Sequence, residues 1–274
     1  MKYKHRPEKK FGQHFLVDGN IADQIVDFAE LTPDDTVLEI GPGRGILTEK
    51  LLERTENVTA VEIDRNLITN LRLKFDAHKA FNLVEADILK TDLNELFGDV
   101  IGRIKVVSNL PYYISTPIIE LLGKNRHLVS NAVLMLQREV AARLVAKPGS
   151  KEFGLTTLNL ALGATGNVVM NIRPEAFNPP PAVMSSVISL VFSEKMLYSL
   201  ESEEMFRKIT GVSFRQRRKM LRNTMIPHLV SLGISEEDVA VILENAGIDP
   251  MARPETLDVA AFVNVSNAVI RAIT

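Results

Sequence analysis

Short apolar runs alternate along the first two thirds of the chain with stretches of helical period. The runs are Thr36–Ile40, Val58–Glu62, Phe81–Ala86, Ile104–Ser108 and Ala132–Leu136. Each is too short for a helix and rich in Val, Ile and Leu, as buried strands are. Between them, Ile21, Ile25, Phe28 and Ala29 recur at helical spacing behind Asp18, a candidate cap. Further helices are predicted over Ile46–Arg54 and Arg65–Ala77, from Pro117, and after the fifth strand to Ala146. Strand–helix alternation of this kind predicts an α/β fold, a doubly wound and mainly parallel sheet. Beyond Lys147-Pro148-Gly149-Ser150 the pattern changes. After a helix near Leu155–Leu162, Val168–Ile172 and Val187–Phe192 read as a two-stranded hairpin at the sheet edge. From about Ser202 the chain is wholly helical. The expected division is a domain over 1–197 and a small all-α domain over 198–274.

Length and composition agree, since 274 residues suffice for roughly two domains. An apolar share of 46% with 24% charged residues is that of a globular protein. Cysteine is absent, which excludes disulfides, thiolate metal sites and a cysteine nucleophile. Neither an apolar run long enough to span a bilayer nor a signal-peptide core is found, so a cytoplasmic protein without membrane contact is expected. The net charge of −2 gives no hint of a polyanionic partner, but its distribution does. Residues 2–10 carry five basic side chains against Glu8, and 207–222 carry seven basic residues and no acid. Such blocks are candidate nucleic-acid contacts. Read as a helix, the second places Arg215, Arg218 and Arg222 on one face, with Lys219 beside them.

The first strand runs into Glu39-Ile40-Gly41-Pro42-Gly43-Arg44-Gly45 and then a helix, a turn suited to cradling a nucleotide. The dinucleotide pattern G-x-G-x-x-G would need glycine at position 46, which is Ile46, and this argues against a nicotinamide dehydrogenase. A carboxylate at Glu39 would repel a pyrophosphate but suits a cationic nucleoside ligand such as S-adenosylmethionine. Glu62 ends the second strand, where a carboxylate can accept both ribose hydroxyls, and Asp87 follows the third, within reach of the adenine amine. After the fourth strand stands Asn109-Leu110-Pro111-Tyr112. An adenine amine is a poor nucleophile because its lone pair is delocalised. If the Asn109 oxygen and the Pro111 carbonyl each accepted an amine hydrogen, the lone pair would be freed toward a methyl group. Tyr112 offers a face for a flipped base. Phe177, held by Pro179-Pro180-Pro181, is the candidate for the opposite face.

In this order the motifs identify a resemblance. With Phe11-Gly12-Gln13-His14-Phe15-Leu16, Phe177-Asn178-Pro179-Pro180-Pro181, Phe214-Arg215-Gln216-Arg217-Arg218-Lys219, Ala246–Asp249 and Arg253-Pro254-Glu255, the chain resembles the KsgA-type small-subunit ribosomal RNA adenine N6,N6-dimethyltransferases over nearly its whole length. The resemblance implies a Rossmann-like methyltransferase fold. It adds His14 and Leu16 to the cofactor site beside Glu39, Gly41, Gly43, Glu62, Asp87 and Asn109. It implies S-adenosylmethionine as cofactor, S-adenosylhomocysteine as product and no metal. The implied substrate is two adjacent adenosines in the 3′-terminal hairpin loop of small-subunit rRNA, in a 30S assembly intermediate, with a role in subunit biogenesis. A monomer is expected. Two alternatives remain at this level: a large-subunit adenine methyltransferase of the macrolide-resistance type, and a mainly non-catalytic RNA-binding assembly factor.

Overall fold

The computed structural model describes residues 14–273, so the basic block at 2–10 and Phe11-Gly12-Gln13 lie outside the described residues. Nine strands are described: β1 (Phe15–Leu16), β2 (Thr36–Ile40), β3 (Asn57–Glu62), β4 (Phe81–Glu85), β5 (Ile104–Asn109), β6 (Val129–Gln137), β7 (Ala164–Ile172), β8 (Phe177–Asn178) and β9 (Ser185–Phe192). Seven form one sheet in the order β4-β3-β2-β5-β6-β9-β7. From β4 to β6 all neighbours are parallel, and β9 runs antiparallel to both β6 and β7. The central parallel strands β2 and β5 are buried along most of their length, as expected where helices cover both faces of a sheet. The chain winds outward from β2 through β3 to β4, then returns to lay β5 on the other side of β2. That reversal opens a crevice at the carboxyl ends of β2 and β5. Buried Ser108 ties the two strands there, its hydroxyl donating to the carbonyl of Ile40.

The expected edge hairpin is present, with β7 outermost and β9 between it and β6. A second, two-stranded ladder of β1 with β8 is new: Phe15 faces Asn178 and Leu16 faces Phe177. It seals one side of the core formed by Ile25, Val37, Leu51, Val107, Met135 and Phe177. The helix Gly19–Asp27 starts at Asp18, whose carboxylate accepts from the N–H groups of Asn20 and Ile21 as expected of a cap.

The chain divides into two compact units, and the division differs from the expected single cut at 198. The described residues up to 141, with 164–195, form the first unit, and 142–163 join those from 196 onward in the second. The reason is packing. Phe153, Leu158 and Leu162 are buried in one core with Phe206, Ile209 and Phe262. Thus the helix Leu155–Ala161, whose sequence position places it among the strands, has its apolar partners in the helices Glu203–Arg215 and Val259–Ile273. Among the described residues no helix is long and apolar enough to cross a membrane.

Candidate active site and basic turn

The glycine turn after β2 takes backbone angles that only glycine adopts without strain. Gly41, Gly43 and Gly45 have φ of 65°, 58° and 76°. A Cβ on Gly43 would stand 3.2 Å from the Phe15 ring, and one on Gly45 2.5 Å from the Phe75 ring. Gly41 and Gly43 line a pocket of about 790 Å³, its open mouth included, at the carboxyl ends of β2, β3 and β5. Of the expected site residues, His14, Leu16, Glu39, Gly41, Gly43, Glu62, Asn109, Pro111 and Tyr112 line it together.

Glu39 is 1% exposed and accepts a hydrogen bond from the Thr48 hydroxyl at 2.6 Å. Burial, with the nearby charge of Glu62 adding to it, pushes its pKa up to about 8. Glu39 thus carries a proton at neutral pH until a cation is placed beside it. The folded chain then holds a proton that the unfolded chain, with an ordinary value of 4.5, has released. Stability is accordingly expected to fall as pH rises from about 4.5 to about 8. Urea melts across that range should show the loss in the wild type and a smaller one in Glu39→Gln. Equal slopes in the two proteins would count against a buried, protonated Glu39.

Glu62 is also buried, and burial raises its pKa. Its Oε1 accepts the N–H groups of Ile63 and Asp64, both at 2.9 Å, and Oε2 accepts that of Gly43 at 3.3 Å. The carboxylate thus laces the end of β3 to the glycine turn. Two donors already fill Oε1, so the expected bidentate grip on a ribose narrows to Oε2.

At the end of β5 the Asn109 amide is oriented by its neighbour, Nδ2 donating to the carbonyl of His14 at 3.4 Å. Among the described residues Oδ1 accepts no hydrogen bond, and Asn109 lines the pocket. Pro111 departs from expectation. Its carbonyl already accepts from the Ile114 N–H and the Ser115 hydroxyl, both at 3.2 Å, so its lone pairs are committed. The carbonyl of Leu110, one residue back, accepts nothing among the described residues. Tyr112 is half-buried, with its hydroxyl 2.8 Å from that of Ser185 in β9. The His14 ring stacks beside it at 5.8 Å between centroids, and His14 Nδ1 lies 2.8 Å from the Pro179 carbonyl.

Two expected residues fall elsewhere. Phe177 is 3% exposed and packed in the core opposite Leu16, so it presents no open face to a base. Asp87 is outside the pocket wall. It caps the 3-10 turn Ile88–Lys90 by accepting from the Leu89 N–H at 3.1 Å. Tyr113, Ile63 and Arg44 join the wall without having been singled out. Arg44 lies over the Phe15 ring at 4.3 Å.

The basic block of the second unit is not one helical face. The helix Glu203–Arg215 stops at Arg215, and residues 216–220 form a turn. The N–H groups of Leu221 and Arg222 donate to Ala252 and Pro250 rather than continuing the helix. Arg217 turns inward to Glu255 at 2.6 Å and to the Ser150 carbonyl. Arg207 and Lys208 pair with Glu203 and Glu204 one turn earlier. That leaves Arg215, Arg218, Lys219 and Arg222 exposed and without an ion pair among the described residues.

A model of the ribosomal RNA adenine dimethylases matches residues 4–269. The chain belongs to that family. It is 41% identical over 267 residues to the ribosomal RNA small subunit methyltransferase A of Geobacillus thermodenitrificans, covering 96% of this chain and 91% of that one. To the protein of the same name from Clostridium acetobutylicum it is 38% identical, covering 98% and 96%. Among solved structures, a dimethyladenosine transferase from Plasmodium falciparum superposes with a TM-score of 0.76 at 28% identity, covering 92% of this chain and 96% of that one. The 23S rRNA methyltransferase ErmE shares the fold, with a TM-score of 0.71 at 24% identity, covering 93% and 99%. In this adenine dimethylase the glycine turn after β2 and the Asn109–Tyr112 motif after β5 line one pocket.

Proposed function

We propose that this chain transfers methyl groups from S-adenosylmethionine to the exocyclic amines of two adjacent adenosines in the 3′-terminal hairpin loop of small-subunit rRNA, giving N6,N6-dimethyladenosine. The observation that carries this reading is the Asn109 amide, which lines the pocket with Tyr112 and donates through Nδ2 to the His14 carbonyl. The pocket fits the cofactor chemically. Buried carboxyl groups at Glu39 and Glu62 match a cation and sugar hydroxyls, and the bare glycine turn admits a ligand against backbone. When bound, S-adenosylmethionine supplies a methyl group on a positively charged sulfur. Asn109 Oδ1 accepts one hydrogen of the target amine, and the free Leu110 carbonyl accepts the other. Together they draw the nitrogen lone pair out of the ring. Tyr112, anchored through its hydroxyl to buried Ser185, holds the flipped base by its face. The amine's surplus proton leaves to water, so no strong base is needed.

In this reading the second unit grips the RNA backbone through Arg215, Arg218, Lys219 and Arg222. Replacing the three arginines with alanine is expected to weaken RNA binding and to reduce the slope of log affinity against log salt by about 0.7–0.9 per lost phosphate contact. Cofactor affinity should stay the same. An unchanged salt slope would make this turn an ordinary solvated surface. The overall function is tested by transfer of labelled methyl from S-adenosylmethionine to undermethylated small subunits, with mapping of the modified bases. Label on purified large subunits instead would overturn the small-subunit assignment, which the names of the curated relatives support.

A further inference from the structure

Tyr113 follows the target-base tyrosine directly, on the 3-10 turn Tyr112–Ile114. Such a turn advances about 120° per residue, so neighbouring side chains leave it in different directions. Tyr112 goes to Ser185. Tyr113 instead lines the pocket, and partial burial, with the charges of Asp87 and Glu62 adding to it, raises its phenol pKa. Its ring lines the pocket and yet is 57% exposed. Ile63, next to Glu62 at the end of β3, also lines the pocket and is 50% exposed. Among the described residues these are the two large apolar side chains in the pocket wall left this open to water. One is an aliphatic edge and the other an aromatic face. Both line the pocket with Glu62, whose carboxylate suits ribose hydroxyls. A flat heteroaromatic ring is the ligand group that covers such surfaces while leaving its polar edge to the acids.

We propose that Tyr113 is a cofactor-binding residue whose ring closes over the adenosine half of the S-adenosyl ligand and slows its departure. The proposal rests on the methyltransferase reading and deepens it. The Asn109–Tyr113 segment then serves two ligands from one turn, with Tyr112 for the target base and Tyr113 for the cofactor. Because the ring acts on the adenosine half, it should hold S-adenosylmethionine and S-adenosylhomocysteine alike.

The test is made without RNA, so that base capture by Tyr112 plays no part. Calorimetry and stopped-flow displacement are run with both ligands on wild type, Tyr113→Ala and Tyr113→Phe. The alanine variant is expected to bind both ligands about tenfold more weakly, equivalent to about 1.4 kcal/mol, and to release them correspondingly faster. The phenylalanine variant keeps the ring and should stay within about twofold of wild type. Wild-type affinity in Tyr113→Ala would overturn the proposal and leave the methyltransferase reading standing. An equal loss in Tyr113→Phe would assign the effect to the hydroxyl and overturn it as well. Failure of the wild type to bind either ligand would remove the methyltransferase reading and this proposal together.

Discussion

Asn109→Ala is expected to slow methyl transfer by on the order of 100-fold or more in a single turnover at saturating cofactor, about the effect of deleting one aimed polar group. The effect lies on the chemical step because the amine changes most there. In the ground state it is planar and shares its lone pair with the ring. As the methyl arrives it becomes tetrahedral and gains positive charge, and its hydrogens turn into stronger donors toward Oδ1. An interaction that strengthens toward the transition state raises the rate rather than the affinity. The structure adds a reason for the size of the loss. The amide is oriented through Nδ2, which donates to the His14 carbonyl and leaves Oδ1 for the target amine. Saturating cofactor separates this effect from any contact between Asn109 and the cofactor. A wild-type rate under those conditions would sink the lone-pair mechanism.

Glu62→Ala should weaken S-adenosylmethionine binding by about 1.5–3 kcal/mol, the worth of a hydrogen bond to a charged group. The upper part of that range is expected, because the carboxylate has two tasks. One is to meet the ribose through Oε2. The other is to hold the Gly43, Ile63 and Asp64 N–H groups, which fixes the glycine turn against the end of β3. Alanine removes the contact and also loosens the surface that receives the rest of the ligand. Glu62→Gln keeps an acceptor oxygen and should recover part of the loss. Calorimetry on the three proteins decides the matter, and an unaltered affinity in the alanine variant would take Glu62 out of the site.

The fold was legible where local period and burial agree. The strand Thr36–Ile40 was read to the residue, because its run of apolar positions is bounded by turn residues on both sides. The pocket residues at the ends of β2, β3 and β5 were legible for a related reason, since chemistry-bearing side chains at the carboxyl ends of parallel strands have a crevice to face. What escaped depended on distant partners. β1 and β8 are two residues each, too short for any period, and their pairing alone decides that Phe177 points into the core. Asp87 was placed by its nearness to a strand end. It comes two residues after the last residue of β4, and there its carboxylate is used as a cap. From Arg215 to Ile226 the chain carries neither glycine nor proline to mark a stop, the first being Pro227. The helix ends because Arg217 and fully buried Leu221 both turn inward, and the carbonyls that receive the freed N–H groups lie some thirty residues downstream.

The excursion of residues 142–163 into the second unit has a consequence for synthesis. A ribosome making this chain releases Phe153, Leu158 and Leu162 well before the segment from Phe206 to Phe262 that buries them. Until then an apolar loop hangs from a nearly finished sheet, between β6 and β7, and the sheet itself still awaits β9 to join those two strands. Folding in strict N-to-C order, one unit and then the next, is closed to this topology. A polypeptide cut at 198 would likewise keep the orphaned loop, so a free-standing first unit is better sought by replacing 142–163 with a short polar linker than by truncation alone.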